Sequence, residues 1–271
     1  MKIGNKEFDF NKECYIMGIL NVTPDSFSDG GKWSTLDKAL SHTEEMIKDG
    51  ASIIDIGGES TRPGYIHVTE EEEIERVLPY IEEIKKRFDI PVSIDSYKAP
   101  VAEAAIKAGA DMINDIWGFK MDKNMAKVAA EYKVPACIMH NRDNNKNPYV
   151  NLMEDVLNDL KESIDIGTKA GVPMDMMISD PGIGFGKTLS DNLLVMKNLV
   201  QLKKLNIPVL LGTSRKSMIG LTLDLPVDQR VEGTVATTVL GVMAGCGIIR
   251  VHDVKENYRA MKMTLAIRDA V

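Results

Sequence analysis

The chain has 271 residues, of which 44% are hydrophobic and 27% are charged, and its net charge is −7. This is the composition of a globular protein that can bury a sizeable core, and the acidic balance argues against nucleic-acid binding. The sequence has no apolar run near the ~20 residues of a membrane span and no apolar leader, so we expect a cytoplasmic protein without a membrane partner.

Short apolar segments predict eight β-strands along the chain. They are residues 15–20, 52–56, 92–94, 112–113, 136–139, 176–179, 209–211 and 247–251. Their lack of polar alternation is typical of parallel strands buried on both faces. Amphipathic stretches between them predict helices, for example through the spacing of Met153, Val156, Leu160 and Ile164. Eight such units predict an α/β (β/α)8 TIM barrel in one domain over residues 1–271, with an open doubly wound sheet as the alternative.

Local signals mark where some elements begin. Thr69 with Glu72 predicts a capping box, and Ser34 with Asp37 predicts a similar helix start. Pro100 suits the first turn of a helix. Residues 1–12 are expected to form a short cap over the bottom of the barrel. The three cysteines lie far apart in apolar surroundings and predict buried thiols, and the histidines show no zinc-binding spacing.

One weak repeat links the helices to the strands. Three times a glycine ends a helix five residues before a polar residue. The pairs are Gly50 and Asp55, Gly109 and Asn114, and Gly245 and Arg250. A glycine cap followed by a strand of fixed length delivers each polar residue to an equivalent position.

Polar groups gather where the predicted strands run out into loops, and only Arg250-Val251-His252 lies inside its apolar run. Parallel barrels build their active sites from these ends. Arg250 and His252 share one side of the last strand, and with Arg62 and Asn21 they predict an anion site suited to phosphate. The alternative is that Arg250 pairs with a neighbouring carboxylate such as Asp253.

Carboxylates and an amide follow several different strands. They are Asp55, Asp95, Asn114, Asp115 and Asp180. Facing one cavity, they would accept from the N–H edge of an amino-oxo-pyrimidine ring, although each alone could instead cap a helix. Lys216 could form a Schiff base or donate to a ring carbonyl, and nearby Asp180 favours the charged donor.

The glycine-rich run at residues 182–188 matches neither a P-loop nor a dinucleotide-binding fingerprint. We interpret it as a flexible wall that lets Phe185 lie against a flat ligand. The alternative is an ordinary turn.

These motifs together resemble the dihydropteroate synthase family. The stretches that carry the resemblance are residues 20–31, 57–64, 93–96, 114–116, 180–187, 212–217 and 250–253, in family order. The resemblance implies a barrel enzyme, a transferase of folate biosynthesis. It would condense 6-hydroxymethyl-7,8-dihydropterin diphosphate with 4-aminobenzoate, using Mg²⁺ and releasing diphosphate.

The resemblance also implies a role for each site residue. The catalytic residues would be Asp95, Lys216 and Arg250. The pterin would be bound by Asp95, Asn114, Asp180, Lys216, Phe185 and Met139. The diphosphate would be bound by Asn21, Thr61, Arg62, Arg250 and His252, with Asn21 also meeting the metal. The 4-aminobenzoate pocket, where sulfonamides would compete, would be lined by Thr61, Pro63, Phe185, Lys216 and Ser217. The family suggests a homodimer.

Two other functions stay open on the sequence. A methyltetrahydrofolate-binding corrinoid methyltransferase domain would share the carboxylates and the amide, but it has no need of Arg250 and His252. A pterin-binding protein that has lost catalysis would also share them. Diphosphate release with and without 4-aminobenzoate separates the three hypotheses.

Overall fold

A computed structural model describes residues 1–23, 32–59 and 67–270, with only the helical backbone described at 32–34. Within these ranges eight parallel strands form the central sheet. They are β1 (Tyr15–Asn21), β2 (Ala51–Gly57), β3 (Val92–Asp95), β4 (Met112–Asp115), β5 (Ala136–Met139), β6 (Met177–Asp180), β7 (Leu210–Leu211) and β8 (Ile248–Val251). From β1 to β6 each strand pairs with the next, and β8 lies between β1 and β7.

A parallel bridge between Ser179 and Val209 joins β6 to the residue before β7 and closes the circle. The predicted (β/α)8 barrel is therefore confirmed, and the open doubly wound sheet is wrong. The strand limits differ from the prediction by one or two residues. The polar residues Asn21, Asp95 and Asp180 are the last residues of their strands. The ladder reaches them because Gly57 pairs with Asp95, and Met139 with Asp180.

Helices follow the strands and cover the outside of the barrel. Those in the described ranges are α1 (Lys32–Lys48), α2 (Glu70–Arg87), α3 (Ala99–Lys107), α4 (Met125–Tyr132), α5 (Leu152–Ala170), α6 (Leu189–Lys197), α7 (Ser217–Leu223), α8 (Val231–Ala244) and α9 (Val254–Arg268). The four apolar residues that predicted α5 are all buried. In the described residues, no helix combines the length and the apolar character needed to cross a bilayer.

The predicted helix starts are partly correct. Thr69 caps α2 by accepting a hydrogen bond from the backbone N–H of Glu72. The reciprocal half of the capping box is absent because the Glu72 carboxylate binds Arg76 at 2.5 Å. The predicted start near Ser34 is wrong, since α1 already begins at Lys32. Pro100 lies in the first turn of α3, as predicted.

The glycines of the internal repeat adopt the left-handed conformation that ends a helix without steric cost. Their φ angles are +109° at Gly50, +114° at Gly109 and +88° at Gly245. Each ends a helix shortly before β2, β4 or β8 begins. The three strands therefore begin at similar levels along the barrel. The residue five positions after each glycine consequently points to the same region.

The bottom of the barrel is closed by an N-terminal hairpin of two short strands, Lys2–Ile3 and Lys6–Glu7. Ile3 and Phe8 pack against Met17 and Ile53 at the strand starts. The predicted cap is thus present. Burial there removes apolar surface from water and leaves the opposite rim for polar chemistry. All three cysteines are buried and free, as predicted.

Candidate active site

One guanidinium holds two carboxylates on the upper rim of the barrel. Arg250 of β8 donates from Nε to Asp55 Oδ2 and from Nη2 to Asp95 Oδ2, each across 2.6 Å. Asn114 donates from Nδ2 to the same Asp55 oxygen at 3.0 Å. The three polar residues of the internal repeat are therefore joined directly by hydrogen bonds. Asp55 is fully buried, and its Oδ1 has no hydrogen-bond partner among the described residues.

A second group lies beside it, around Gly212. A Cβ on Gly212 would lie 3.7 Å from Asp180 Oδ2, 3.9 Å from the Lys216 ammonium nitrogen and 3.9 Å from Arg250 Cβ. Asp180 at the end of β6, Lys216 after β7 and Arg250 of β8 thus surround one open point. The missing side chain leaves room there for a ligand.

Burial governs how these groups ionise. It raises the pKa of Asp95 to about 7, against the lowering effect of Arg250. It also raises the pKa of Asp180, which Lys216 opposes. Burial lowers the pKa of Lys216 to about 8, and Asp180 limits that fall. Near neutral pH Lys216 is therefore mostly a charged ammonium donor, whereas Asp95 is only partly ionised.

The loop after β6 forms the wall expected beside a flat ligand, and hydrogen bonds connect it to Asp180 and Lys216. Gly182 donates its N–H to Asp180 Oδ1 at 2.7 Å. The Lys216 ammonium donates to the carbonyl of Ile183 at 2.5 Å and lies 4.9 Å from the centre of the Phe185 ring. Phe185 thus stands beside the acceptors, where a flat ligand can pack on it.

The turn after β7 is tied to the end of β8. Ser214 Oγ and His252 Nδ1 lie 2.9 Å apart, and the His252 N–H donates to the same hydroxyl at 3.1 Å. Asp253 pairs with Arg215, from whose Nε it accepts at 2.9 Å. Arg250 does pair with carboxylates, as the alternative to the anion site expected, but its partners are Asp55 and Asp95 and not Asp253. His252 lies next to the strand that carries Arg250.

The first two strands end close to Asp95. A Cβ on Gly57 would lie 3.7 Å from Asp95 Oδ2 and 3.8 Å from Asn21 Oδ1. This space beside an amide oxygen and a carboxylate oxygen is open because residue 57 is glycine. In the described ranges, no three His, Cys, Asp or Glu side chains gather as a metal-ligand set.

The remaining predicted residues are placed as follows. Met139 is buried at the end of β5, beside Asp180 in the sheet. Ser217 is the exposed first residue of α7. The predictions for Thr61, Arg62 and Pro63 fall outside the described residues.

Asp115 does not face the ligand cavity, although it ends β4. Its carboxylate accepts from the backbone N–H groups of Trp117 at 2.9 Å and Phe119 at 2.7 Å. It therefore shapes the turn after β4, and the grouping of Asp115 with the ligand acceptors is wrong. The short Asp-x-x-Gly turn that follows β4 was the signal for this local role.

Sequence reasoning missed a buried cluster next to Asp95 that consists of one lysine and two glutamates. Lys98 donates to Glu59 at 2.5 Å, to Glu73 at 2.7 Å and to the carbonyl of Val68 at 2.8 Å. Both carboxylates are almost fully buried. Lys98 lies in the loop that follows Asp95, and it connects this loop to the start of α2. Its only sequence signal is a lysine shortly after a strand end.

Comparison with known proteins identifies relatives over nearly the whole chain. The family model described as "Pterin binding enzyme" matches residues 17–252. A dihydropteroate synthase of Clostridium beijerinckii is 66% identical over 97% of this chain and 98% of that protein. One from Bacillus subtilis is 58% identical over 94% of this chain and 88% of that protein.

Solved structures of dihydropteroate synthases are also similar to this chain. A dihydropteroate synthase of Clostridium difficile, crystallised in the presence of pteroic acid, has a TM-score of 0.93 and 52% identity, covering 96% of this chain and 99% of that one. The Xanthomonas albilineans enzyme with 4-aminobenzoic acid has a TM-score of 0.90 and 39% identity, covering 96% of this chain and 94% of that one.

Proposed function

The chain belongs to the dihydropteroate synthase family of pterin-binding enzymes, and on that premise we propose the reaction that it catalyses. It transfers the 7,8-dihydropterin-6-ylmethyl group from 6-hydroxymethyl-7,8-dihydropterin diphosphate to the amine of 4-aminobenzoate. Diphosphate is released, and 7,8-dihydropteroate enters folate biosynthesis. The relatives favour this reaction over the corrinoid methyltransferase alternative.

The observation that carries the proposal is the convergence of Asp180, Lys216 and Arg250 on the space beside Gly212. A pterin ring presents adjacent ring N–H and exocyclic NH2 groups on one edge and a carbonyl nearby. Asp180 accepts from the N–H edge, and the charged Lys216 donates to the carbonyl. Asn114 supplies a further amide at the same rim.

We assign the chemical step to the groups around Arg250. The carbon–oxygen bond of the pterin methylene breaks before the amine attacks, so negative charge develops on the leaving diphosphate and positive charge on the pterin. The amine then forms the carbon–nitrogen bond and loses one proton. Asp95 accepts from the ring and stabilises the positive charge. Arg250 holds Asp95 in place through its 2.6 Å hydrogen bond. Asp55 and Asp95 offset the charge of Arg250, so with His252 it is proposed to bind the diphosphate through its other N–H donors and not through net positive charge.

Phe185 and Lys216 are proposed to form one side of the 4-aminobenzoate pocket, with Ser217 at its mouth. The ring of Phe185 offers a flat apolar face, and the Lys216 ammonium above it fixes the position of the ring. Thr61, Arg62 and Pro63 are proposed to complete the diphosphate and aminobenzoate sites from the second loop. A sulfonamide, which mimics 4-aminobenzoate, would compete at this pocket.

We propose that a magnesium ion binds in the space beside Gly57. Mg²⁺ bound to a diphosphate takes one or two protein oxygens and completes its shell with phosphate and water. Asn21 Oδ1 borders the opening that a Cβ on Gly57 would fill, so Asn21 would hold the ion. When bound, Mg²⁺ neutralises charge on the departing diphosphate.

A homodimer is proposed from the exposed apolar residues on the helices around β7 and β8. They are Leu193, Leu194, Val200, Leu221, Leu223, Leu240 and Met243. Large apolar groups clustered on adjacent helices are typical of an interface between subunits. Sedimentation of the wild type against Leu240→Glu tests this, because one buried charge at a two-fold interface should yield monomers.

The cytoplasm is the proposed compartment, since its reducing conditions suit three free thiols.

Release of diphosphate is the experiment that tests the function. The protein, the pterin diphosphate and Mg²⁺ are incubated with and without 4-aminobenzoate, and diphosphate and dihydropteroate are quantified together. We expect equal amounts of both products, formed only when 4-aminobenzoate is present. Pterin binding without either product would instead indicate a binding protein and contradict the proposal.

A further inference from the structure

The loop after β6 rests directly on the loop after β5, backbone against backbone. A Cβ on Gly182 would lie 1.9 Å from the carbonyl oxygen of His140, and one on Gly186 would lie 2.3 Å from that of Arg142. Both glycines have positive φ angles, +66° and +55°. The two loops therefore meet too closely to accept any side chain between them.

A single ammonium group joins these loops. Lys187 Nζ lies 2.9 Å from His140 Nδ1, 3.0 Å from the Gly182 carbonyl and 3.1 Å from the Phe185 carbonyl. An ammonium has three N–H donors, and these three acceptors match them in number. The two carbonyls belong to the first and fourth residues of the wall formed by residues 182–186, which carries Phe185.

His140 is arranged to accept from this lysine. Its Nε2 lies 3.0 Å from Asp159 Oδ2, so the ring proton sits on Nε2 and leaves Nδ1 as an acceptor. Asp159 is fixed in turn by Arg142, which donates from Nε at 2.9 Å and whose Nη2 lies 2.8 Å away. Burial lowers the pKa of His140 to about 4, so the ring stays neutral. The acceptor therefore persists across the physiological pH range, whereas burial lowers the pKa of Lys187 itself to about 7, so the ammonium form dominates only below neutral pH.

The wall held by Lys187 touches both substrate regions. Its first residue, Gly182, donates to Asp180, the proposed partner of the pterin edge. The Ile183 carbonyl receives the Lys216 ammonium, and the Phe185 ring lies below it. A shift of either carbonyl held by Lys187 would move Asp180 or Phe185 relative to Lys216.

We propose that Lys187 is a positioning residue that sets the binding sites for both substrates through the wall at residues 182–186. It does not contact substrate, and the inference rests on the proposed function. Its removal should weaken binding more than it slows turnover. The KM values for 4-aminobenzoate and for the pterin diphosphate should each rise about tenfold, as expected for the loss of about 1.4 kcal/mol of preorganisation.

The test uses Lys187→Ala with and without added propylammonium, a cation that fits the space left by the side chain. We expect raised KM values, a kcat within about threefold of the wild type, and KM values that fall again as propylammonium is added. Lys146→Ala is the matched control, because Lys146 lies on the loop after β5 and its ammonium pairs with exposed Asp143. It should keep wild-type KM values and show no response to propylammonium.

Other results would overturn the inference. Unchanged KM values with a lowered melting temperature would mean that Lys187 is only structural, as would raised KM values that propylammonium does not reverse. If Lys187→Ala does not fold, His140→Leu removes one of the three acceptors and should raise both KM values, whereas unchanged values would overturn the proposal. A wild-type protein that releases no diphosphate would contradict the proposed function itself, before any variant is compared.

Discussion

Arg250 donates a hydrogen bond from Nε to Asp55 Oδ2 across 2.6 Å, although 195 residues separate the two in the chain. The same guanidinium reaches Asp95. It therefore compensates two carboxylates that come from adjacent strands and are buried at the top of the barrel. Because both buried carboxylates share this cation, Arg250 contributes to the stability of the protein as well as to the chemistry of the site.

Arg250→Met should lower the free energy of unfolding by about 3–5 kcal/mol, because it leaves buried carboxylates without their partner. Urea denaturation measures the change. Arg87→Met is the control, since Arg87 pairs with Glu83 on the exposed face of α2 and should cost no more than about 1 kcal/mol. Equal effects of the two variants would contradict the role assigned to Arg250.

Asp180→Asn should weaken binding of a pterin ligand about tenfold or more, because a neutral amide pairs poorly with the pterin N–H edge and with Lys216. Calorimetric titration measures the affinity. Asp115→Asn is a matched control, since Asp115 is equally buried at a strand end but its carboxylate is used by backbone N–H groups. It should lower stability while leaving the pterin affinity within about twofold. Loss of pterin affinity in both variants would contradict the separate roles that we assign to Asp180 and Asp115.

The pH profile of kcat/KM for the pterin diphosphate should rise to a maximum between two limbs. Asp95, with its pKa raised to about 7, must be ionised to accept from the ring, so activity falls as pH drops below about 7. Lys216, with its pKa lowered to about 8, must be protonated to donate, so activity falls as pH rises above about 8. Lys216→Arg should move the alkaline limb upward, because a guanidinium keeps its proton above pH ~12. An alkaline limb at the same pH in this variant would exclude Lys216 as its source.

Lys98→Met should destabilise the fold by about 3–5 kcal/mol, because Glu59 and Glu73 would share a buried space without the ammonium that bridges them. Thermal or urea unfolding measures this. Lys107→Met provides the comparison, since its pair with Glu103 is exposed on α3 and its loss should change stability far less. A similar small change at Lys98 would show that the cluster tolerates the loss of its charge.

Asn21→Ala should increase the Mg²⁺ concentration needed for half-maximal diphosphate release by about tenfold, as expected when one of few protein ligands is lost. Activity is titrated with Mg²⁺ after treatment with a chelator. The wild type should lose activity on chelation and recover it on addition of the ion. Identical Mg²⁺ dependence in the variant would place the ion elsewhere.

Much of the fold could be predicted because its signals are local. Continuous apolar runs identified the parallel strands, and glycine caps fixed where β2, β4 and β8 begin. The spacing from Gly50 to Asp55 even predicted an equivalent position for Asn114 and Arg250, and the three side chains are joined by hydrogen bonds. Strand ends were less certain, because the ladder continues one residue further where the neighbouring strand offers a partner.

The roles of individual polar residues could not be predicted in the same way. Asp95 and Asp115 look alike in the sequence, yet one faces Arg250 and the other binds its own turn. Which occurs depends on how the following loop folds. The sequence did not reveal the roles of Lys98 and Lys187, because their acceptors come from distant segments and from backbone carbonyls.

The close contact of Gly182 with His140 and of Gly186 with Arg142 has a consequence for inhibitor design. Any other residue at these two positions would place its Cβ inside a neighbouring carbonyl group. A compound that draws its affinity from the main chain of this loop would therefore contact a surface that replacement of either glycine can alter only by displacing the loop after β5. Compounds that depend on exchangeable side chains leave the organism an easier route of escape.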